Sequence, residues 1–258
     1  IAVFQADYRR NKAEGVPLEV LQKWTGAELL KLYGRVDAAL TERILPPEFN
    51  KDGARLPATV NTDSFTDTDD VLLENHTPTP TNWGAWVLMA HSWTPNTIII
   101  KTNKAQKTAT GSGLIGAYRA NANLSSDAHY AQADIDRTGD DAADRPTAVM
   151  VRANGTTNVN GFYGGAIWDT QDKTRLVKVV ASVDTVLGTP QNLTLTPGTP
   201  VLARLEITDT GGLTLTISGG STHTATDDTH SGILQGGIYA LTNNYSATWD
   251  NFEEGDLV

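Results

Sequence analysis

Histidines, cysteines and serines carry most enzyme chemistry, and their spacing in this sequence indicates no enzyme class. None of the five histidines stands in a His-x-His or His-Glu-x-x-His arrangement, so a zinc enzyme is not indicated. Cysteine is absent, which removes thiolate ligands, thiol nucleophiles and disulfides together. No Gly-x-Ser-x-Gly nucleophile motif occurs either. We therefore expect a protein without a catalytic site.

Carboxylates are the remaining groups that could bind a metal ion. The run Thr66-Asp67-Thr68-Asp69-Asp70 offers oxygen ligands of the kind that Ca²⁺ prefers. Such a run is also typical of a solvated turn, and the residues alone do not decide between the two. Asp134 and Asp136 alternate along an extended segment and would share one face of a strand.

Aromatic side chains and arginine are the groups that bind sugars, by stacking on the ring and by holding hydroxyls. Trp168 follows the Gly164-Gly165 pair close to a predicted loop, with Tyr163 and Arg152 nearby by strand spacing. We expect these three residues to form a ligand-binding surface. The alternative is that they are buried in the core, where large aromatic side chains are common.

The elements that must position these residues are short strands, which begin near residue 58. Apolar runs rich in Thr, Val and Ile alternate with turn signals such as Gly211-Gly212 and Gly219-Gly220. No helical periodicity interrupts the series, so a sandwich or barrel is favoured over βαβ units. Strands are predicted at 130–136, 147–152, 176–183, 200–208, 213–218 and 236–241.

The first 50 residues have a different pattern, which predicts a helical arm. A short helix is predicted at 17–24, and a capping box at Thr25 and Glu28 opens a longer one at 26–45. Pro46 and Pro47 end it, and 51–57 is a predicted linker before a β domain at 58–258. An amphipathic helix cannot bury its apolar stripe alone, so the arm must pack on the β domain or on another chain. We expect it to dock on other proteins and the chain to form an oligomer.

The charge distribution argues against nucleic acid as a partner. The net charge is −10, with 8 basic and 7 acidic residues in 1–51 and 12 basic and 23 acidic residues in 52–258. Binding to phosphates needs a basic face, which the second part lacks. No apolar run approaches the roughly 20 residues that cross a bilayer, so membrane insertion is not expected.

Four motifs follow one another in 58–258: Asp63-Ser64-Phe65, Tyr130-Ala131-Gln132-Ala133-Asp134-Ile135, Gly236-Gly237-Ile238-Tyr239 and Asp250-Asn251-Phe252. Their order resembles that of the concanavalin A-like and laminin G-like jelly rolls. These domains often open with an Asp-x-Phe strand and close with Asp-Asn-Phe. The resemblance implies a mainly β, antiparallel two-sheet jelly-roll sandwich, here with an N-terminal α-helical arm.

The resemblance also implies a metal site and speaks against catalysis. With the first and last strands adjacent, Asp63, Asp70 and Asp250 would come together as ligands of a structural Ca²⁺. Laminarinase-like members carry Glu-x-Asp-x-x-Glu on one strand, and both glutamates are missing around Asp134 and Asp136. No catalytic residue is therefore predicted.

Similar modules occur in phage virion proteins and in bacterial surface or polysaccharide-degrading proteins. Our first hypothesis is a non-enzymatic structural or adhesion protein of a tailed phage, either a capsid decoration or a tail protein. In that case residues 1–50 bind other virion proteins, and the protein is located in the virion. The alternative is a carbohydrate-binding module of a bacterial surface protein or hydrolase, located at the cell surface or outside the cell.

Overall fold

The structure is a computed structural model, and it describes most of the second of two compact units. The units are Ile1–Pro57 and Ala58–Val258. The described residues are 60–78, 85–90, 97–108, 115–119, 124–137, 146–154, 161–168, 173–181, 183–194, 196, 198–220, 222–240 and 247–257. The predicted helical arm at 1–50 and the linker at 51–57 lie outside this range.

The described chain forms two sheets in which every strand pairing is antiparallel. The first sheet has eight strands, with β1 pairing onto the order β13-β12-β11-β6-β15-β4-β3 through β15. Its strands are β1 (Val60–Asp63), β3 (Thr97–Ile100), β4 (Ala105–Thr108), β6 (His129–Arg137), β11 (Val201–Ile207), β12 (Gly212–Ile217), β13 (Thr222–Thr226) and β15 (Ala247–Asp256).

The second sheet has seven strands in the order β10-β9-β8-β7-β14-β5-β2. Its strands are β2 (Trp86–Ala90), β5 (Ile115–Arg119), β7 (Pro146–Asn154), β8 (Gly161–Trp168), β9 (Lys173–Val180), β10 (Val183–Asn192) and β14 (Gly237–Ala240). A short 3-10 helix at Leu73–Asn75 is the one helix among the described residues. No described helix has the length and apolarity that crossing a membrane requires.

The main hydrophobic core takes alternate residues from both sheets, as expected for a sandwich. Leu205 and Leu215 of the first sheet and Val149 and Ile167 of the second belong to it, all fully buried. Trp249 of β15 also donates its indole N–H to the carbonyl of Ala148 on β7, at 3.1 Å, which ties the sheets together. A smaller buried cluster uses the intervening residues of the second sheet: Met89, Ala148, Met150, Ala153, Phe162, Ala166, Val177, Val179 and Tyr239.

These observations confirm the predicted antiparallel two-sheet sandwich. The first and last strands are adjacent, because Asp63 of β1 pairs with Phe252 of β15. One strand prediction was wrong. The segment 176–183 is not a single strand, because the chain turns at Ala181, which has a φ of 46°. The return strand β10 was not predicted.

Candidate functional site

The candidate site is organised by Arg152, near the end of β7. The β7–β8 pairing shifts register between Val151 and Asn154, and Arg152 has a φ of 49°. Such an irregularity re-aims a side chain relative to the regular alternation of a strand. The Arg152 side chain is fully buried and reaches out of the strand to the loops at one end of the sandwich.

The Arg152 guanidinium joins three loop segments. Nη1 donates to Oδ1 of Asp228 at 2.5 Å, and Nη2 donates to the carbonyls of Thr208 at 3.1 Å and Asp127 at 3.4 Å. We call the segments 124–128, 208–211 and 227–232 the three-loop end. A buried guanidinium is tolerated only when charges and carbonyls surround it, so these contacts hold the loops in a fixed arrangement.

Asp227 is fixed by donors from two neighbouring strands and from its own loop. Its Oδ1 accepts hydrogen bonds from the Tyr163 hydroxyl at 2.6 Å and the Thr229 N–H at 3.0 Å, and Oδ2 accepts one from Lys178 Nζ at 2.6 Å. Burial opposes the charge of Asp227, but these hydrogen bonds outweigh it and hold its pKa well below the usual range. Burial, with the bond to Asp227, raises the pKa of Tyr163 to about 12. Asp227 is therefore an anion at any physiological pH.

Asp127 is fixed by the third segment. Both of its carboxylate oxygens accept the Gly232 N–H, at 3.0 and 3.1 Å. Gly232 has a φ of +79°, a conformation that residues with a Cβ rarely adopt. Ser126, beside Asp127, donates its hydroxyl to Asp209 at 3.3 Å.

The three-loop end thus presents three oriented carboxylates that remain partly exposed. The exposed fractions of the side chains are 31% for Asp127, 17% for Asp227 and 49% for Asp228. Carboxylates that protein donors hold in place can still accept hydrogen bonds from the hydroxyl groups of a ligand. Asp227 cannot act as a general acid, because it does not hold a proton near neutral pH.

The residues predicted to bind a glycan directly are only partly brought together. Arg152 and Tyr163 lie at the three-loop end, but both are fully buried and reach the surface through Asp228 and Asp227. The Tyr163 ring instead packs edge-on against His230, with 5.0 Å between ring centroids. Trp168 is the last residue of β8, five residues from Tyr163, which is about 17 Å along a strand.

The residues predicted to bind Ca²⁺ contact different partners in the protein. Asp63 accepts hydrogen bonds from Trp86 Nε1 at 2.7 Å and from the Phe65 N–H at 2.9 Å, and it contacts His76. Asp70 pairs with Lys101, and Asp250 accepts the Asn251 N–H. Among the described residues no three His, Cys, Asp or Glu side chains are grouped as a metal would require. Calcium binding at these three residues therefore stays a prediction.

Asp134 and Asp136, both on β6, also contact other side chains of the protein. Asp134 accepts a hydrogen bond from Asn251 Nδ2 at 2.9 Å, and Lys104 Nζ lies 3.6 Å from Asp136. Such contacts are typical of polar side chains on the face of a sheet.

Sequence reasoning missed the residues that carry the three-loop end. Asp127, Asp227 and Asp228 stand in short polar stretches that read as ordinary turns. Their grouping depends on three loops separated by about 80 and 20 residues along the chain, which only the sheet order brings together. The pair Asp227-Asp228 directly after a Thr-rich strand was the one local signal.

Comparison with known proteins gives distant structural similarity only. No family model and no curated protein matches the chain. A carbohydrate-binding module, CBM66 from Bacillus subtilis, is similar at 12% identity and a TM-score of 0.44, over 68% of this chain and 94% of the module. Domain 4 of AbnA, an extracellular arabinanase from Geobacillus stearothermophilus, is similar at 13% identity and a TM-score of 0.49, over 77% and 93%.

An enzyme is also among the similar structures. The β-glucanase of Bacillus licheniformis has 8% identity and a TM-score of 0.49, over 77% of this chain and 98% of the enzyme. Similarity at this level does not assign a ligand or an activity to the chain. The fold assignment rests on the strands themselves: two antiparallel sheets, with the first and last strands paired, form a concanavalin A-like jelly-roll sandwich.

Proposed function

We propose that this chain is a non-enzymatic glycan-binding sandwich and that the three-loop end is its binding site. The observation that carries the proposal is that hydrogen bonds from protein donors fix Asp127, Asp227 and Asp228, while each side chain stays partly exposed. Acceptors that are already oriented lose little freedom on binding, so they can hold the hydroxyl groups of a sugar with useful affinity.

The charge of the site favours neutral glycans. The three-loop end has more acidic than basic side chains, which leaves an excess of negative charge there. The acidic residues are Asp127, Asp209, Asp227 and Asp228, and the basic residues are Arg152 and Lys178. The whole chain carries a net charge of −10. Uronic and sialic acids would be repelled by this field, whereas neutral hydroxyl donors would not.

The three residues singled out in the sequence take different roles in this proposal. Arg152 and Tyr163 are positioning residues, which act through Asp228 and Asp227. Trp168 remains proposed as a stacking residue. Its distance from Tyr163 along β8 makes it a separate contact, which the variant Trp168→Ala tests independently.

The proposal is tested by calorimetry and glycan-array binding with the full chain. We expect binding to at least one neutral glycan class and none to acidic glycans. Asp227→Asn and Asp228→Asn should each weaken that binding about tenfold or more, since a hydrogen bond to a charged group contributes about 1.5–3 kcal/mol.

The matched control is Asp250→Asn. Asp250 lies on β15, six residues before Asp256, the residue of this strand at the three-loop end. Its one described hydrogen bond is with the N–H of its neighbour Asn251. Its substitution should leave binding unchanged. No binding across a broad neutral panel, or equal losses in all three variants, would contradict the proposal.

A structural role in a phage particle is a second candidate. It is supported by the separation of the chain into two units at Pro57 and Ala58, the first of which carries the amphipathic pattern. In this role residues 1–50 dock the protein into the virion and the sandwich is displayed. The glycan-binding role instead places the chain at a bacterial surface or outside the cell.

A further inference from the structure

His129 is a fully buried residue at the base of the three-loop end, and its two ring nitrogens have opposite roles. Nε2 accepts the backbone N–H of Arg152 at 3.2 Å, and Nδ1 lies 3.1 Å from the carbonyl of Asp127, to which it donates. A ring nitrogen that accepts a hydrogen bond carries no proton. The geometry therefore requires the neutral tautomer with its proton on Nδ1.

A second proton on His129 would sit on Nε2 and conflict with the bond to the Arg152 N–H, whereas Nδ1 would keep its bond to the carbonyl of Asp127. It would place an N–H against the N–H of Arg152 and a cation beside the Arg152 guanidinium. Two acids lie near His129: Asp127 in the adjacent loop, and Asp256 of β15, which pairs with His129 in the sheet register. Asp127 already accepts a hydrogen bond from Gly232, and Asp256 accepts hydrogen bonds from Ser125 and Ser126. From β11 the register partner is the apolar Ile207. Burial first, and then Arg152, lower the pKa of His129 to about 4.

A second histidine lies at the same end. His230 follows Asp227 and Asp228 in their loop, is buried, and donates from Nε2 to the carbonyl of Val179 on β9 at 2.9 Å. Its backbone N–H donates to the Tyr163 hydroxyl at 3.3 Å. Burial lowers its pKa as well.

We propose that His129 is an acid-sensitive switch for the three-loop end: proton uptake breaks its bond to Arg152 and releases the loops that Arg152 holds. The effect of the switch on ligand binding rests on the proposed glycan function. The opening of the loops does not, because it depends only on the contacts described here.

Linkage sets the size and the pH range of the effect. In the open state His129 titrates near its ordinary value of 6.5, and in the closed state near 4. Between these values the open state binds one more proton at His129, so His129 alone raises the opening equilibrium about tenfold for each unit by which the pH falls. His230, whose pKa burial also lowers, acts in the same direction. Asp227 does not contribute in this range, because it stays ionised.

The switch is tested by NMR on the full chain. Amide exchange of Arg152 and Gly232 is measured from pH 7 to 4 and corrected for the intrinsic pH dependence of exchange. We expect opening to increase about tenfold per unit below pH 6.5. His129→Gln supplies an acceptor that does not titrate, and it should remove the contribution of His129 to this increase. His223→Gln is the matched control, because His223 is also buried but contacts Thr174 at the edge of the sandwich.

The outcomes separate the switch from the glycan function. Corrected exchange that does not change with pH, or an increase of the same size in His129→Gln as in the wild type, would overturn the switch. If that variant does not fold, the imidazole titration of the wild type decides: a midpoint near 4 supports the switch and one near 6.5 overturns it. Glycan affinity measured over the same pH range then tests the consequence, and a chain that binds no glycan refutes only the proposed function.

Discussion

Buried histidines in this sandwich occupy two opposite environments, and the difference lies in what faces their ring nitrogens. His129 faces one donor and one acceptor, so it is neutral. His76, which is also buried, faces two carboxylates, with Nε2 3.0 Å from Asp63 and Nδ1 2.9 Å from Asp67. Both nitrogens of His76 must donate, so its ring is an imidazolium.

His76 therefore gives the protein a pH dependence of opposite sign to that of His129. Burial is the largest single effect on His76 and opposes its charge, but the bonds to Asp63 and Asp67 outweigh it and raise its pKa above 6.5. The stabilisation is present in full below pH 6.5 and is lost as the pH rises through the raised pKa. The bond to His76 lowers the pKa of Asp67, whose contribution is lost as the pH falls below about 4.

We predict that Asp67→Asn lowers the pKa of His76 and destabilises the protein most between about pH 4 and 6.5. The difference in unfolding free energy from the wild type should shrink as the pH rises beyond this range. Denaturant unfolding at several pH values and an NMR titration of His76 measure both effects. Asp70→Asn, which removes an exposed partner of Lys101, is the control. A difference that does not vary with pH would contradict the prediction.

At the scale of elements, β8 is packed so closely that three of its glycine positions, Gly161, Gly164 and Gly165, have no room for a side chain. A Cβ on Gly165 would lie 2.5 Å from Leu215 Cδ1 and 3.3 Å from Leu205 Cβ, both in the opposite sheet. A Cβ on Gly164 would lie 2.7 Å from Tyr239 Cε1. Gly165 therefore permits the close approach of the two sheets, and Gly164 leaves room for Tyr239 on the other face of β8.

We predict that Gly165→Ala destabilises the sandwich by about 1–3 kcal/mol, the usual cost of adding a methyl group to a filled core. Thr216→Ala, an exposed position on the neighbouring sheet, should change the unfolding free energy by less than about 0.5 kcal/mol. Thermal or denaturant unfolding measures both. Equal stability of Gly165→Ala and the wild type would mean that Leu215 moves aside at no cost.

At the scale of the whole molecule, the two proposed functions differ in what the first unit does. The phage role needs residues 1–50 for assembly, whereas glycan binding needs only the three-loop end. We predict that the full chain forms a defined oligomer and that a chain starting at Arg55 is a monomer, if the arm is an assembly element. Light scattering during gel filtration measures both masses. Two monomers of equal stability would remove the support for the phage role and leave the glycan-binding role.

The sequence by itself determined the class of the fold, because strand formation follows local rules. Alternating apolar residues and turn signals such as Gly211-Gly212 predicted β6, β7, β11, β12 and β14 to within a few residues. The hairpin between β9 and β10 was missed because the chain turns at Ala181, which carries no turn signal. The resemblance carried by the opening motif Asp63-Ser64-Phe65 and the closing motif Asp250-Asn251-Phe252 correctly implied that β1 and β15 are adjacent.

The tertiary structure alone decided the candidate site, because its residues come from loops far apart in the chain. A bulge at Arg152 and the order of the strands bring Asp127 and Asp228 to one buried guanidinium and Asp227 to Tyr163 and Lys178, and no local pattern predicts this grouping. The same packing buries Tyr163 and bonds Asp63 to Trp86, which the types of these residues do not predict. Residue type indicates which chemistry a side chain can do, whereas burial and hydrogen-bond partners decide which it does.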